Sequence, residues 1–288
     1  MDFLELIKII LLGIVEGITE WLPVSSTGHM ILFNKFFPLQ KVSPAFVDMF
    51  EYVIQLAAIF AVVILFWKKI FPLEMKKSDG EKNKLAWKTD TLALWLKVIV
   101  ACIPALVALL LDMLFDSLSP LVESAVIAAT LIIYGIAFIL IENANKQRSA
   151  AIEEVSAISY RYAFFIGCFQ ILAAIPGTSR SGITIIGALL LGISRTAAAE
   201  FTFILAIPTM VGASAYKLLK FFLDAGSMSG AELGYLLVGS AVAFAISLFA
   251  VKFLMNFVKK HDFKVFGWYR IGLGVLVLAT LVLPALLA

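Results

Sequence analysis

Charge is scarce in this sequence, and cysteine scarcer still. Only 15% of its 288 residues are Asp, Glu, Lys or Arg, against about 25% in ordinary soluble domains. A net charge of +3 supplies no basic field large enough for nucleic acid, so that class of partner is excluded. Cys102 and Cys168 both fall inside apolar runs, which leaves neither a disulfide framework nor a metal-binding spacing. What abounds is apolar surface: 62% hydrophobic residues and a mean hydropathy of +1.01, more than a soluble core of this length needs. The chain reads as an integral membrane protein.

A bilayer core takes about 20 apolar helical residues. Six segments reach that length: 46–67, 92–111, 121–141, 197–219, 233–255 and 265–287. Four apolar segments are too short, 3–15, 30–39, 162–175 and 183–193, and they come in pairs flanking polar stretches. Residues 3–15 lead straight into acidic residues with no small-residue cleavage site, so they are expected to remain as a helix. Short helices around a polar turn suggest chain that dips into the membrane and returns, tolerable only where buried in protein or lining water. The expected fold is therefore all-α, with six spanning helices and two re-entrant helical hairpins. Seven lysines in 68–91 place that loop in the cytoplasm, whereas 112–120 carries Asp112 and Asp116 and no basic residue. Both termini then fall outside, and Lys97, Lys217 and Lys220 are expected to snorkel.

The two halves resemble each other. A shift of 154 lays Gly13 on Gly167, Glu16 on Gln170, and Ser25-Ser26-Thr27-Gly28 on Ser179-Arg180-Ser181-Gly182. A shift of 149 lays the stretch from Glu51 on that from Glu200. Each half holds one short pair and three spans, an odd number, so the second copy should be inverted. This divides the chain into repeats 1–143 and 158–288, joined by a polar linker, 144–157.

The chemistry concentrates at the two polar turns, "EGITEWLPVSSTGH" (16–29) and "PGTSRSG" (176–182). Glu16 and Glu20 share a helix face at i, i+4 spacing. With His29 and Arg180 they would be very costly at mid-bilayer if dry and unpaired. Simple neutralisation of the glutamates by Arg180 would answer that cost, but it would not require the hydroxyls and glycines around both turns. Thr27, Gly28, Ser181 and Gly182 sit where helix N-termini favour anions, beside Ser25, Thr178 and Ser179, and glycine permits close approach of an oxyanion. Arg180 adds a fork suited to phosphate oxygens. Carboxylates beside an anion need a bridging cation, for which Mg²⁺ held by Glu16 and Glu20 is the expected choice, with Ca²⁺ an alternative. Ser26, His29 or an activated water could attack. The site thus reads as a metal-assisted phosphate site at membrane depth, suited to an amphiphile whose tail stays in lipid.

Those two motifs, in this order and separation, resemble the signatures of the bacterial undecaprenyl-diphosphate phosphatases, the bacitracin-resistance family. The similarity extends to "EYVIQLAAIFAVVILFW" and "AAEFTFILAIP". The resemblance implies hydrolysis of a polyprenyl diphosphate carrier lipid to the monophosphate at the outer face of the bacterial cell membrane, recycling the carrier for peptidoglycan synthesis. It also implies a divalent-metal requirement and functional roles for Glu16, Glu20, Ser26, His29 and Arg180. A homodimer is left open. The competing reading is a transporter or flippase of an anionic lipid, since inverted repeats with broken helices also build transporters. The concentration of Glu16, Glu20 and His29 in one half favours chemistry over a symmetric gate. A structural role in wall assembly would leave the buried charges without purpose. Gln170, Glu51 and Glu200 are lesser candidates, and His261 reads as a solvated loop residue.

Overall fold

The computed structural model describes residues 2–78, 81–115, 118–146, 148–225 and 227–287, with the side chains of 75–78, 81–85, 109–110, 112–114 and 225 left aside. Asp116 and the side chains of Asp112 and of four of the seven loop lysines, Lys76, Lys77, Lys82 and Lys84, all used above for orientation, lie outside that set. Among the described residues, six helices are long and apolar enough to cross a bilayer: Pro44–Leu65, Thr89–Ala108, Pro120–Asn145, Arg195–Asp224, Gly230–Phe257 and Lys264–Leu287. The protein is a predominantly helical, multi-pass membrane protein.

Short polar residues start the helices. Asp2 accepts from the N–H groups of Leu4 and Glu5 to cap α1 (Phe3–Thr19), and α2 follows at Ser26–Phe36. Ser43 caps α3 (Pro44–Leu65), which begins on proline, where a missing N–H costs nothing. A four-residue helix, α4 (Trp67–Ile70), leads into two antiparallel strands, β1 (Leu73–Ser78) and β2 (Glu81–Trp87). The lysine-rich loop read from sequence thus contains a pair of antiparallel strands. Helices α5 (Thr89–Phe115) and α6 (Pro120–Asn145) complete the first half.

The second half follows the same order: α7 (Tyr160–Ile171), α8 (Arg180–Leu190), α9 (Arg195–Ala225), α10 (Gly230–Phe257) and α11 (Lys264–Val277). Ser229 and Glu232 form a reciprocal capping box at the start of α10. After α11 the ladder loosens into a π turn at Leu278–Val282 before α12 (Leu283–Leu287). Pro284 is the cause: it offers no N–H and its ring crowds the carbonyl four residues back.

The short helices pair as hairpins. The end of α2 returns to the start of α1, where Lys8 Nζ donates to the Pro38 carbonyl at 2.6 Å and the Gln40 N–H donates to Glu5 Oε1 at 2.8 Å. The end of α8 returns beside the approach to α7, with Ala151 N–H donating to the Gly192 carbonyl and Ser194 N–H to the Ile152 carbonyl. Helix α1 packs on α10 while α7 packs on α5; α3 crosses α9, and α6 crosses α11. Exchanging each helix for its counterpart in the other half maps these contacts onto one another. The largest apolar cluster lies at the hairpin tips, where Trp21, Val24, Ile183 and Phe138 gather and Trp21 meets Phe203 edge-on at 5.3 Å.

Two of the lysines expected to snorkel have partners within the protein. Lys217 pairs with Asp48 at 3.0 Å and lies over the Tyr52 ring. Lys97 donates to the Ser156 carbonyl at 2.8 Å.

Close approach of α6 and α11 depends on two facing glycines. A Cβ on Gly135 would lie 2.7 Å from the Gly267 carbonyl oxygen, and a Cβ on Gly267 equally close to that of Gly135. In lipid, helix association rests on such backbone proximity. Gly135→Ala should therefore destabilise the protein by about 1–3 kcal/mol, read as an earlier midpoint in SDS-titration unfolding. Gly272→Ala, with nothing within 4 Å, should leave the midpoint in place.

Candidate active site

The two hairpin tips share one unusual backbone feature. Ser25 (φ 75°) and Ser179 (φ 69°) are the non-glycine residues with positive φ among the described residues, and they are counterparts under the 154-residue shift. Such a conformation costs about 1–3 kcal/mol. Each serine uses it to turn its hydroxyl onto the helix that follows: Ser25 Oγ accepts from Gly28 N–H at 3.3 Å and Ser179 Oγ from Gly182 N–H at 3.2 Å. This modifies the anion cradle read from sequence. The serines occupy the Gly28 and Gly182 N–H groups, so these two are not free to bind an anion.

The tips meet at Glu20. Its Oε1 receives Arg180 Nη2 at 2.6 Å and its Oε2 receives Ser26 Oγ at 3.0 Å. Its backbone carbonyl accepts from Ser181 Oγ at 3.1 Å. Thus Glu20, Ser26, Arg180 and Ser181, from two parts of the chain more than 150 residues apart, form one cluster. Thr209 Oγ1 lies 3.5 Å from Arg180 Nη1 on the other flank. Thr178 is buried with its hydroxyl unpartnered, and Thr27 is exposed at the start of α2.

Glu16 lies one turn before Glu20, fully buried, and neither carboxylate oxygen has a hydrogen-bond partner among the described residues. An ionised carboxylate left so in an apolar interior is very unfavourable. A cation or a proton must complete it. Gln170, its counterpart, also buries an unpartnered Oε1. Among the described residues no three His, Cys, Asp or Glu side chains gather as a complete ligand set. Two neighbouring carboxylates, one of them orphaned, nevertheless fit Mg²⁺, which is commonly held by one or two carboxylates, water and phosphate oxygens.

His29 is held at both ring nitrogens. Nδ1 lies 2.7 Å from the Ser25 carbonyl and Nε2 lies 2.7 Å from Tyr269 Oη, with the two rings stacked at 5.6 Å. A carbonyl only accepts, so Nδ1 carries the proton, and in the neutral ring Nε2 accepts from the tyrosine. This geometry suits a proton relay better than nucleophilic attack.

Two contributors were not anticipated from sequence. Tyr269 is one. The other is Arg270 of α11, whose guanidinium is fully buried and makes no ion pair with a carboxylate among the described residues. Its Nη2 donates to the Gly177 and Thr178 carbonyls at 3.0 Å each and its Nη1 to the Pro23 carbonyl at 3.4 Å, above the Tyr134 ring. Pro23 and Gly177 are counterparts under the same shift, so one arginine binds the same carbonyl of both tips. Gly177 has φ +83°, and a Cβ there would strike Thr130 Oγ1 at 2.4 Å. A lone arginine inside the last span was the available signal, since intramembrane charge marks function by default.

A cavity of about 450 Å³ opens at the end of the molecule holding the N-terminus, between residues 39–48 and α3, and is lined by Leu39, Val42, Pro44, Val47, Asp48 and Glu51. Glu51 accepts from Asn34 of α2 at 3.0 Å and lies near enough to Glu16 for their charges to interact. Glu200 lies at the opposite end and pairs with Lys69 at 2.5 Å. His261 is exposed and stacks on Phe257, as expected of a loop residue.

A membrane-embedded helical protein with an acid, hydroxyl and guanidinium cluster where two hairpins meet is thereby defined. The family model described as bacitracin resistance protein BacA matches residues 9–276. An undecaprenyl-diphosphatase of Enterococcus faecalis is 58% identical over 279 residues, covering 96% of this chain and 98% of its own length. Undecaprenyl-diphosphatases of Lachnoclostridium phytofermentans and Desulfitobacterium hafniense are 54% and 55% identical over 96% of this chain. The chain belongs to the bacitracin resistance protein BacA family.

Arg270→Met should leave three tip carbonyls without their donor. Each orphaned buried acceptor costs about 1–3 kcal/mol, so the unfolding midpoint in SDS should fall clearly. Arg270→Lys should recover only part, because a single ammonium cannot reach both tips.

Proposed function

We propose that the protein hydrolyses the phosphoanhydride of undecaprenyl diphosphate, releasing inorganic phosphate and leaving undecaprenyl phosphate. The observation that carries this reading is the junction at Glu20, where the Ser26 hydroxyl, a carboxylate and the Arg180 guanidinium converge at the tips of two hairpins. The relatives' shared activity supports it over nearly the whole chain.

In this reading Arg180 orients the diphosphate through its planar fork, beside the first turns of α2 and α8, whose N-terminal potential favours an anion. Glu16 and Glu20 would hold a divalent cation, which supplies charge neutralisation for the phosphate oxygens. Glu20 Oε2 already accepts from Ser26 Oγ, so a base for that hydroxyl, or for a water in its place, is in position. His29 Nε2, with the Tyr269 hydroxyl, offers a route for the proton. The re-entrant reading rests on length: α1 and α2 span about 25 and 16 Å at 1.5 Å per residue, less than a hydrocarbon core of about 30 Å. With the lysine-rich end in the cytoplasm, the cavity above Glu51 opens to the outer face. Both halves then form an inverted repeat whose tips share one site. Replacement of Glu16 by Gln170 and of Ser26 by Arg180 in the second copy favours a hydrolase over a symmetric gate.

Phosphate release from polyprenyl diphosphate by the purified, detergent-solubilised protein tests the proposal. Arg180→Lys keeps charge but loses the fork, and activity should fall at least about 100-fold, close to Arg180→Ala, with folding retained. Glu20→Gln should abolish the response to Mg²⁺. Near wild-type rates in Arg180→Lys, together with unchanged metal dependence in Glu20→Gln, would overturn it.

A further inference from the structure

The lysine-rich end of the molecule carries a second cavity, of about 390 Å³, between the end of α3, the start of α9 and the end of α10. Its polar lining is Lys69, Thr196, Glu200, Lys252, Asn256 and Lys259, backed by apolar side chains of α3 and α10. Glu200 is the counterpart of Glu51, so this cavity matches the one near the active site but opens at the other end. The two differ in sign. The first is lined by Asp48 and Glu51, and the second by three lysines and a single acid.

That acid is already used, because Glu200 pairs with Lys69 at 2.5 Å. Lys252 and Lys259 have no ion-pair partner among the described residues, and both are exposed. With Asn256 they recur at i, i+4 and i+7 and therefore share one face. Lys252 lies inside α10, more than a turn before its end at Phe257, where an unpaired ammonium persists only facing a wet cavity or headgroups. The N-terminus of α9 opens into the same space and adds favourable potential for an anion. Beside this face, Phe249 and Phe253 of α10 are exposed, 72% and 54%, as a surface for an apolar chain.

We infer that this cavity is a second binding site, for the phosphate headgroup of an anionic lipid whose chains lie along Phe249 and Phe253. Two unpaired ammonium groups at headgroup depth, a polar amide between them and an adjoining apolar wall supply the chemistry that such a headgroup needs. The site is separate from the Glu20–Arg180 junction, and its occupancy does not depend on the phosphatase reading.

Photolabelling of the full-length protein in phosphatidylcholine nanodiscs tests it, using a phosphatidylglycerol with a photoreactive acyl chain as probe and peptide mass spectrometry to locate the label. The α10 segment around Phe249–Phe253 should be labelled. Each lysine contributes about 1 kcal/mol to lipid attraction, so Lys252→Gln with Lys259→Gln should weaken labelling about 30-fold, and the paired arginine substitutions should restore it. Phosphate release should be unchanged in the double glutamine variant. Equal labelling of wild type and that variant would overturn the inference. Loss of labelling on adding inorganic phosphate alone would also overturn it, by making the site one for free phosphate.

Discussion

A charge in an apolar interior must meet its opposite, and in this protein that requirement joins two distant parts of the chain. Glu20 ends the first helix and Arg180 begins the eighth, and each would be unfavourable without the other. Their contact at 2.6 Å joins the tips of the two hairpins. Around it gather Ser26, whose hydroxyl donates to the Glu20 carboxylate, and Ser181, whose hydroxyl donates to the Glu20 backbone carbonyl. Arg270 reinforces the junction from beneath by binding equivalent carbonyls of the two tips.

The scaffold is twofold but the chemistry is not. Ser25 and Ser179 have the same conformation and the same capping role, and α1 on α10 matches α7 on α5. Where one tip carries a hydroxyl at Ser26, the other carries the Arg180 guanidinium. Glu16 has a polar but uncharged counterpart in Gln170. The two tips are thus built alike in backbone but differ in side chains, with Glu20 and Ser26 on one and Arg180 on the other. Their placement matters because positioning at a phosphoryl centre is worth orders of magnitude in rate.

Much of this was legible in the sequence. The six spans follow from apolar runs whose lengths the bilayer dictates, and the observed helices match them to within a few residues. The two polar turns stood out because ionisable residues are rare in so apolar a chain, which singled out Glu16, Glu20, His29 and Arg180. Contacts made by distant residues were less legible. Arg270 and Tyr269 sit in an ordinary-looking last span, and only folding shows that they reach Pro23, Gly177 and His29. The serine caps were hidden because positive φ at a serine has no sequence signature. The strands at 73–87 were masked by lysines, although the Asp79-Gly80 pair between them is a hairpin signal. Lys97 and Lys217 found partners contributed by other elements, which a span-by-span reading does not see.

The central claim is that the Glu20–Arg180 contact couples the two halves. A double-mutant cycle of Glu20→Gln and Arg180→Gln, read as unfolding free energy by SDS titration in detergent, measures it most directly. The account predicts that each single variant loses stability and that the double variant loses less than their sum, with a coupling of about 1–3 kcal/mol. Additive losses would contradict it, because the two tips would then be stabilised independently.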